Sequence, residues 1–455
     1  MHRQQANGES YTVRTDLATY YLGLAFRRCV RNLPMVILLT GTMAVGIASC
    51  MTALTIFAAL SGTPIPGVSE QLYVATMDTR TASSSDNANY TRPNSYFSLG
   101  DAKALVDIHR APHQAAFSST FPQVGTADGA RSDQVAGLMA YGQAAELLQL
   151  GLVHGRAWSP QEERDRLPVV LIDTNLAQRM FGTDNAVGRD LRMGQRLFHV
   201  IGVYAPWKPR TKFMDLPHND GQVLEQAQQV VVPLEAALDG GVGPLALGDC
   251  GDDSAKVTFQ STKVEGCRWL EVWAALPSAT HVSSFRDTLL AFADTQHQAG
   301  RFRYPPQARL YGTSAWMAAN HVVPDDVNLN AMLAGAFLLL CMVNVAGILA
   351  AYFLRRKADT IVRRALGATR RALFEQHMLE AGLLGVVGGL LALPLTYLGL
   401  HIVRMQPVAY AEAARMDLRA FASLLLLSLV VGVVVGILPA WQACKLSPAL
   451  QIKQA

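Results

Sequence analysis

The densest chemistry in this chain is a run of basic residues. Arg355, Arg356, Lys357, Arg363, Arg364, Arg370 and Arg371 stand close together, with Asp359 as the acid among them. Guanidinium groups at that density hold a segment on one side of a membrane, or dock it into a partner's acidic surface. Gly367 sits inside the run and admits a backbone break that other residues resist. Elsewhere reactive side chains are sparse. The chain has no GxSxG, HExxH or GxxxxGK[ST] pattern, so nucleophile-elbow, zinc-peptidase and phosphate-loop chemistry lack their residues. Asp252 and Asp253 follow Gly251, but without cation-ligand spacing they read as a solvated turn. The eleven histidines are scattered, and no cysteine pair has CxxC spacing. No metal site is expected.

The elements that must position those arginines are set by composition. Half of the 455 residues are hydrophobic and 16% are charged, against roughly 25% charged in ordinary soluble domains. The net charge of +4 is too small to suggest a nucleic-acid partner. Four stretches, 34–60, 327–354, 381–403 and 420–443, carry no Asp, Glu, Lys or Arg, and each reaches the roughly 20 residues that span a bilayer as helix. The first is longer than the apolar core of a cleaved signal, so it reads as an anchor. Basic flanks at Arg27, Arg28 and Arg31, in the 355–380 segment, and at Lys445 and Lys453 place both termini (1–33 and 444–455) and residues 355–380 in the cytoplasm. Residues 61–326 and 404–419 then lie outside. The expected fold is a membrane protein with four transmembrane α-helices and a large α+β periplasmic domain between the first and second.

Within the spans, Gly385 and Gly389 form one GxxxG and Gly432 and Gly436 another, the spacing that lets helix backbones approach in lipid. Asn344 is the clearest polar residue deep in a span, and one amide there reads as a helix–helix hydrogen bond. Spans without charge argue against a proton-coupled carrier or an ion channel.

In the outer region, residues 79–94 read as a loop, which includes a sequon at Asn89. Residues 167–172 read as a buried strand, followed by a helix capped by Asp173 or Thr174 with Leu176, Ala177 and Met180 on one face. A hairpin around Gly194 and Gln195, a strand at 229–233 leading into a helix, and an alternating strand at 268–276 complete the pattern. Cys29, Cys50, Cys341 and Cys444 fall in or beside apolar stretches, whereas Cys250 and Cys267 lie in the outer region. In an oxidising compartment those two are expected to pair, the other reading being two free buried thiols.

One stretch carries a family resemblance. Asn344-Val345-Ala346 in a span is followed by Arg355-Arg356-Lys357, Asp359, then Arg363-Arg364-Ala365-Leu366-Gly367-Ala368, then Glu380 and Gly388-Gly389. This order is similar to the MacB/FtsX-like ABC transporter permease family. Leu438-Pro439-Ala440 through Ser447-Pro448-Ala449-Leu450 resembles the family's closing motif, residues 22–31 its amphipathic lead-in helix, and residues 176–204 its periplasmic core. Asp359 stands where Glu is usual, Thr360 replaces an apolar residue, and Arg371 extends the basic run. The resemblance implies a non-catalytic permease subunit of the bacterial inner membrane, with Asp359 and residues 363–368 as the ATPase-coupling element. It implies no cofactor on this chain, ATP and Mg being held by a separate cytoplasmic ABC ATPase. It also implies a second permease, identical or related, and a periplasmic adaptor with an outer-membrane duct. The implied work is export of a peptide, drug or similar compound. Alternatives are FtsX-like signalling to a cell-wall hydrolase, lipoprotein release, or a membrane sensor without an ATPase.

Overall fold

The computed structural model describes residues 33–79, 96–216, 224, 226–245, 250, 267–305, 307–355, 362, 367, 369–408 and 410–445. Two compact units emerge: an α+β unit, Leu60–Val323, and a helical unit formed by Met1–Ala59 with Pro324–Ala455.

The helical unit begins with α1 (Leu33–Ser61). The α+β unit opens with β1 (Leu72–Met77), β2 (Tyr96–Phe97), α2 (Leu99–Asp107), β3 (His113–Thr120), β4 (Gln123–Thr126), β5 (Ser132–Gln134) and β6 (Gly137–Gly142). Next come α3 (Ala144–Leu147), β7 (Leu152–Gly155), α4 (Pro160–Arg164), β8 (Val169–Asp173), α5 (Thr174–Phe181), β9 (Asp190–Met193) and β10 (Arg196–Tyr204). It closes with β11 (Val230–Pro233), α6 (Leu234–Asp239), β12 (Leu270–Ala275), α7 (Ala279–Gln298), β13 (Ala308–Gly312) and α8 (Thr313–Ala319).

One mixed sheet runs β13-β1-β12-β3-β6-β11-β8-β10-β9-β4-β5, with β2 on β12 and β7 on β10. Its local rules are those the chain advertises. Asp173, rather than Thr174, caps α5 by accepting the Leu176 N–H at 2.7 Å, which satisfies one of the free donors of the first turn. Leu176, Ala177 and Met180 are buried. Met193 pairs with Arg196 across the hairpin. The expected strand at 268–276 is β12, but it does not alternate between core and solvent. Lying between β1 and β3, it is buried on both faces, and the Glu271 carboxylate accepts the Asp215 N–H and the Trp273 Nε1–H, each at 3.0 Å. A buried carboxylate persists only with such donors. Cys250 and Cys267 are joined as a disulfide. The loop at 79–94, beyond Thr79, and Asp252 and Asp253 lie outside the described residues.

Helices α9 (Asp325–Arg355), α10 (Arg370–Arg404) and α11 (Leu418–Lys445) complete the helical unit. With α1 they are the four helices long and apolar enough to cross a membrane among the described residues. The third reaches back well beyond the uncharged stretch that starts at 381. Thr369 caps α10 by accepting the Ala372 N–H at 3.2 Å, and Leu373, Gln376, His377 and Glu380 are buried along one stripe at helical spacing.

A pH-sensitive group sits in the α+β unit. Ser159 and Glu162 form a capping box on α4, and Arg156 grips the Glu162 carboxylate at 2.7 Å through both nitrogens. This turn drives Glu163, 7% exposed, against β6, where both its oxygens accept the Gly142 N–H at 3.1 Å. Burial, with Glu235 and Asp107 nearby, pushes its carboxyl up to about 7. The folded state therefore holds this proton more tightly than the unfolded chain, and the stability so gained fades as pH rises through about 7. Denaturant unfolding of the intact chain is expected to lose stability between about pH 5 and 8, by roughly 3 kcal/mol at most from this group. Glu163→Gln is expected to flatten that slope.

Candidate coupling site

The basic segment lies where α9 ends, at Arg355, and α10 begins, at Arg370. Asp359, Arg363, Arg364, Ala365, Leu366 and Ala368 lie outside the described residues. Gly367 is described, with φ +100°, a left-handed conformation that side chains resist by roughly 1–2 kcal/mol. Two residues later Thr369 caps α10. Gly367 and Thr369 thus make a hard stop between the arginine pair and a new helix. Arg371 and Glu375 pair across one exposed turn at 3.0 Å, a contact worth little by itself.

Behind that exposed turn, the buried face of α10 is polar. Gln376 donates to the Glu380 carboxylate at 3.3 Å, and the His377 ring lies 4.3 Å from the Phe353 ring of α9. The first turns of α10 are therefore tied to the last turns of α9, on either side of the basic segment.

The glycine motifs have a clear place. Helices α10 and α11 run antiparallel along a seam of small residues: Ala381 faces Gly436, Gly385 faces Gly432, and Gly389 faces Ser428. A Cβ on Gly385 would stand 2.7 Å from the Gly432 Cα, and one on Gly432 would stand 2.8 Å from the Gly385 Cα. Backbones this close gain dispersion contacts along their whole length. The helix α1 is fastened by the same device. A Cβ on Gly46 would stand 2.9 Å from the Cys341 Cβ of α9, one on Gly388 of α10 3.1 Å from the Met43 Cβ, and one on Gly399 of α10 2.7 Å from the Thr52 Oγ1. Ala381, Ser428, Gly46, Gly388 and Gly399 carry this packing without being singled out by the GxxxG pattern. Asn344 lies on an exposed face of α9 and makes no side-chain hydrogen bond among the described residues, so its amide points out of this chain.

Residues 36–288 match the MacB-like periplasmic core domain, and residues 331–448 match the FtsX-like permease C-terminal domain. The chain belongs to the MacB/FtsX-like ABC permease family. The pyoverdine export ATP-binding/permease protein PvdT of Pseudomonas entomophila is 26% identical over 302 residues, covering 65% of this chain and 39% of PvdT. The macrolide export ATP-binding/permease protein MacB of Syntrophobacter fumaroxidans is 23% identical over 336 residues, covering 68% of this chain and 46% of that protein. The chain thus spans less than half the length of these curated relatives. Among solved structures, the periplasmic region of MacB from Actinobacillus actinomycetemcomitans aligns with a TM-score of 0.33 at 12% identity, over 54% of this chain and 91% of that one.

The seam gives a direct test. Gly385→Ala forces a methyl into the Gly432 backbone, whereas Gly382→Ala meets nothing within 4 Å. In denaturing-detergent titrations of the intact chain, Gly385→Ala is expected to destabilise the helical unit by about 1–3 kcal/mol. Gly382→Ala is expected to be neutral or slightly stabilising.

Proposed function

We propose that this chain is the permease subunit of a MacB-like ABC transporter, coupling ATP hydrolysis at its basic end to conformational work in the α+β unit. The observation that carries this reading is α10 itself. It is continuous from the Thr369 cap beside the basic segment to Arg404, about 52 Å at 1.5 Å per residue. Over residues 381–389 it is packed against α11 by the glycine seam, with Pro394 inside the helix beyond it. A displacement at Arg370 would be carried along this helix into the seam. The chain leaves the helical unit after Ala59, in α1, and returns to it at Pro324, just before α9.

The 455 residues hold no Walker-type phosphate loop, so ATP and Mg belong to polypeptide beyond them, a cytoplasmic ABC ATPase. Docking would use the arginines at 363 and 364, with Asp359 and the Gly367 stop shaping the contact. The outward amide of Asn344 supports pairing with a second permease, identical or related, because an amide facing hydrocarbon without a partner costs several kcal/mol. Basic flanks support a multi-pass inner-membrane protein with both termini cytoplasmic. The export functions in the names of the relatives support efflux of a peptide, drug or similar compound; a periplasmic adaptor and an outer-membrane duct are the proposed route out.

Purification in mild detergent with mass spectrometry tests this. A stoichiometric ABC ATPase is expected to accompany the chain and to be lost on Arg363→Glu with Arg364→Glu. Gly367→Pro is expected to leave insertion intact while lowering permease-stimulated ATP hydrolysis at least tenfold, a change of about 1.4 kcal/mol. Unchanged stimulation in both variants would contradict the coupling role.

A further inference from the structure

A crevice of about 500 Å³ opens between α1, α9 and α10 in the half of the helical unit nearest Ser61 and Asp325. Its shape follows from where the helices are fastened. Gly46 pins α1 to α9 at Cys341, and Gly399 pins α1 to α10 at Thr52. Val327, Asn330 and Ala334 of α9 form the opposing wall.

The lining is graded. Ala48, Ile56, Leu398 and Ile402 present hydrocarbon along the walls. Thr52 directs its hydroxyl to its own helix, donating to the Ala48 carbonyl at 2.8 Å, so the wall there is effectively apolar. Apart from Ser49 and Thr52 on α1, the polar lining gathers at the mouth: Asn330, Gln406 and Tyr410, whose hydroxyl donates to the Asp326 carboxylate at 2.9 Å. Apolar depth with amide donors at one rim is the complement of an amphiphile lying along the membrane normal.

We propose that this crevice holds one acyl chain of a bilayer phospholipid, with the glycerol ester carbonyls accepting from the Asn330 and Gln406 amides. The surroundings at this depth are lipid tails. The volume takes roughly 15–20 methylene groups if each needs about the 30 Å³ of a water molecule, which matches one ordinary membrane chain. The bound chain would wedge α9 away from α1, the two helices that lead into the α+β unit. Only the bilayer location of the four helices is needed here, so the ATPase reading stands or falls separately.

The test uses the intact chain in phosphatidylethanolamine and phosphatidylglycerol vesicles doped with a phosphatidylcholine whose palmitoyl-length chain bears a diazirine. After illumination, peptides covering residues 48–56 and 395–403 are expected to carry several-fold more label than residues 418–423 of α11. That stretch, exposed at Leu418 and Phe421, lies opposite 394–399 by the seam register that sets Gly389 against Ser428. Ala334→Phe, and separately Ala53→Phe, fill the crevice and are expected to bring labelling down to the α11 level while leaving α11 labelling unchanged. The assignment is overturned by labelling no greater than on α11, or by an excess that survives both fillings. Cross-linking of two copies through Ala53→Cys with no lipid label would also overturn it, by making a second copy the occupant.

Discussion

The helical unit depends on how closely α10 and α11 can approach. Three pairs of small residues, at 381 and 436, 385 and 432, and 389 and 428, bring the two backbones together. Lipid supplies no hydrophobic drive for helices to associate, so dispersion along such a seam must supply it. Every side chain added there pushes the helices apart and loses contacts on both sides at once. The same economy recurs where Gly46, Gly388 and Gly399 fasten α1. Four apolar helices become one body through glycine rather than through polar glue.

On the reading proposed above, that body is what the basic segment would push on. Gly367 has a left-handed backbone, and Thr369, two residues later, caps α10. The His377 ring, packed on the Phe353 ring, ties the start of α10 to the end of α9. On the proposed reading, a docking event beside the Thr369 cap would pass into this helix pair. In the α+β unit, by contrast, buried carboxylates such as Glu271 and Glu163 are held by backbone and indole donors, which makes its core specific in geometry and, at Glu163, responsive to pH.

Much of this was legible in the chain. Uncharged stretches of spanning length mark the four helices, because no soluble core demands them. The Asp173 cap, the Gly194 hairpin and the order of strands and helices around them follow from local rules and needed no tertiary knowledge. What was not legible depended on register between distant segments. Gly385 and Gly432 announce close packing, but their being mutual partners, with Ala381 and Ser428 completing the seam, requires knowing which helices meet and in which direction. The start of α10 was missed because Arg370, Glu375 and Glu380 look like a loop by charge, whereas burying one stripe keeps them helical. Asn344 reads as a helix–helix hydrogen bond by type, and which face it takes is decided by α9 leaning on α1 with Cys341 and Val345. The strand β12 reads as half exposed by alternation, and only its central position in the sheet makes both faces interior. The arginines at 363 and 364, proposed to dock the ATPase, lie outside the described residues, and that proposal rests on pattern and family.

The central claim is that α10 and α11 move as one rod when nucleotide acts at the basic end. Spin labels at Leu390→Cys on α10 and Leu429→Cys on α11, with a second pair at Leu379→Cys and Leu438→Cys, report both halves of the seam by dipolar distance measurement. All four sites are exposed. In the complex with the ATPase, both distances are expected to stay unchanged between the nucleotide-free and ATP-bound states. A shift of several ångström in either pair on ATP binding would show the two helices sliding past one another, and would contradict the rod.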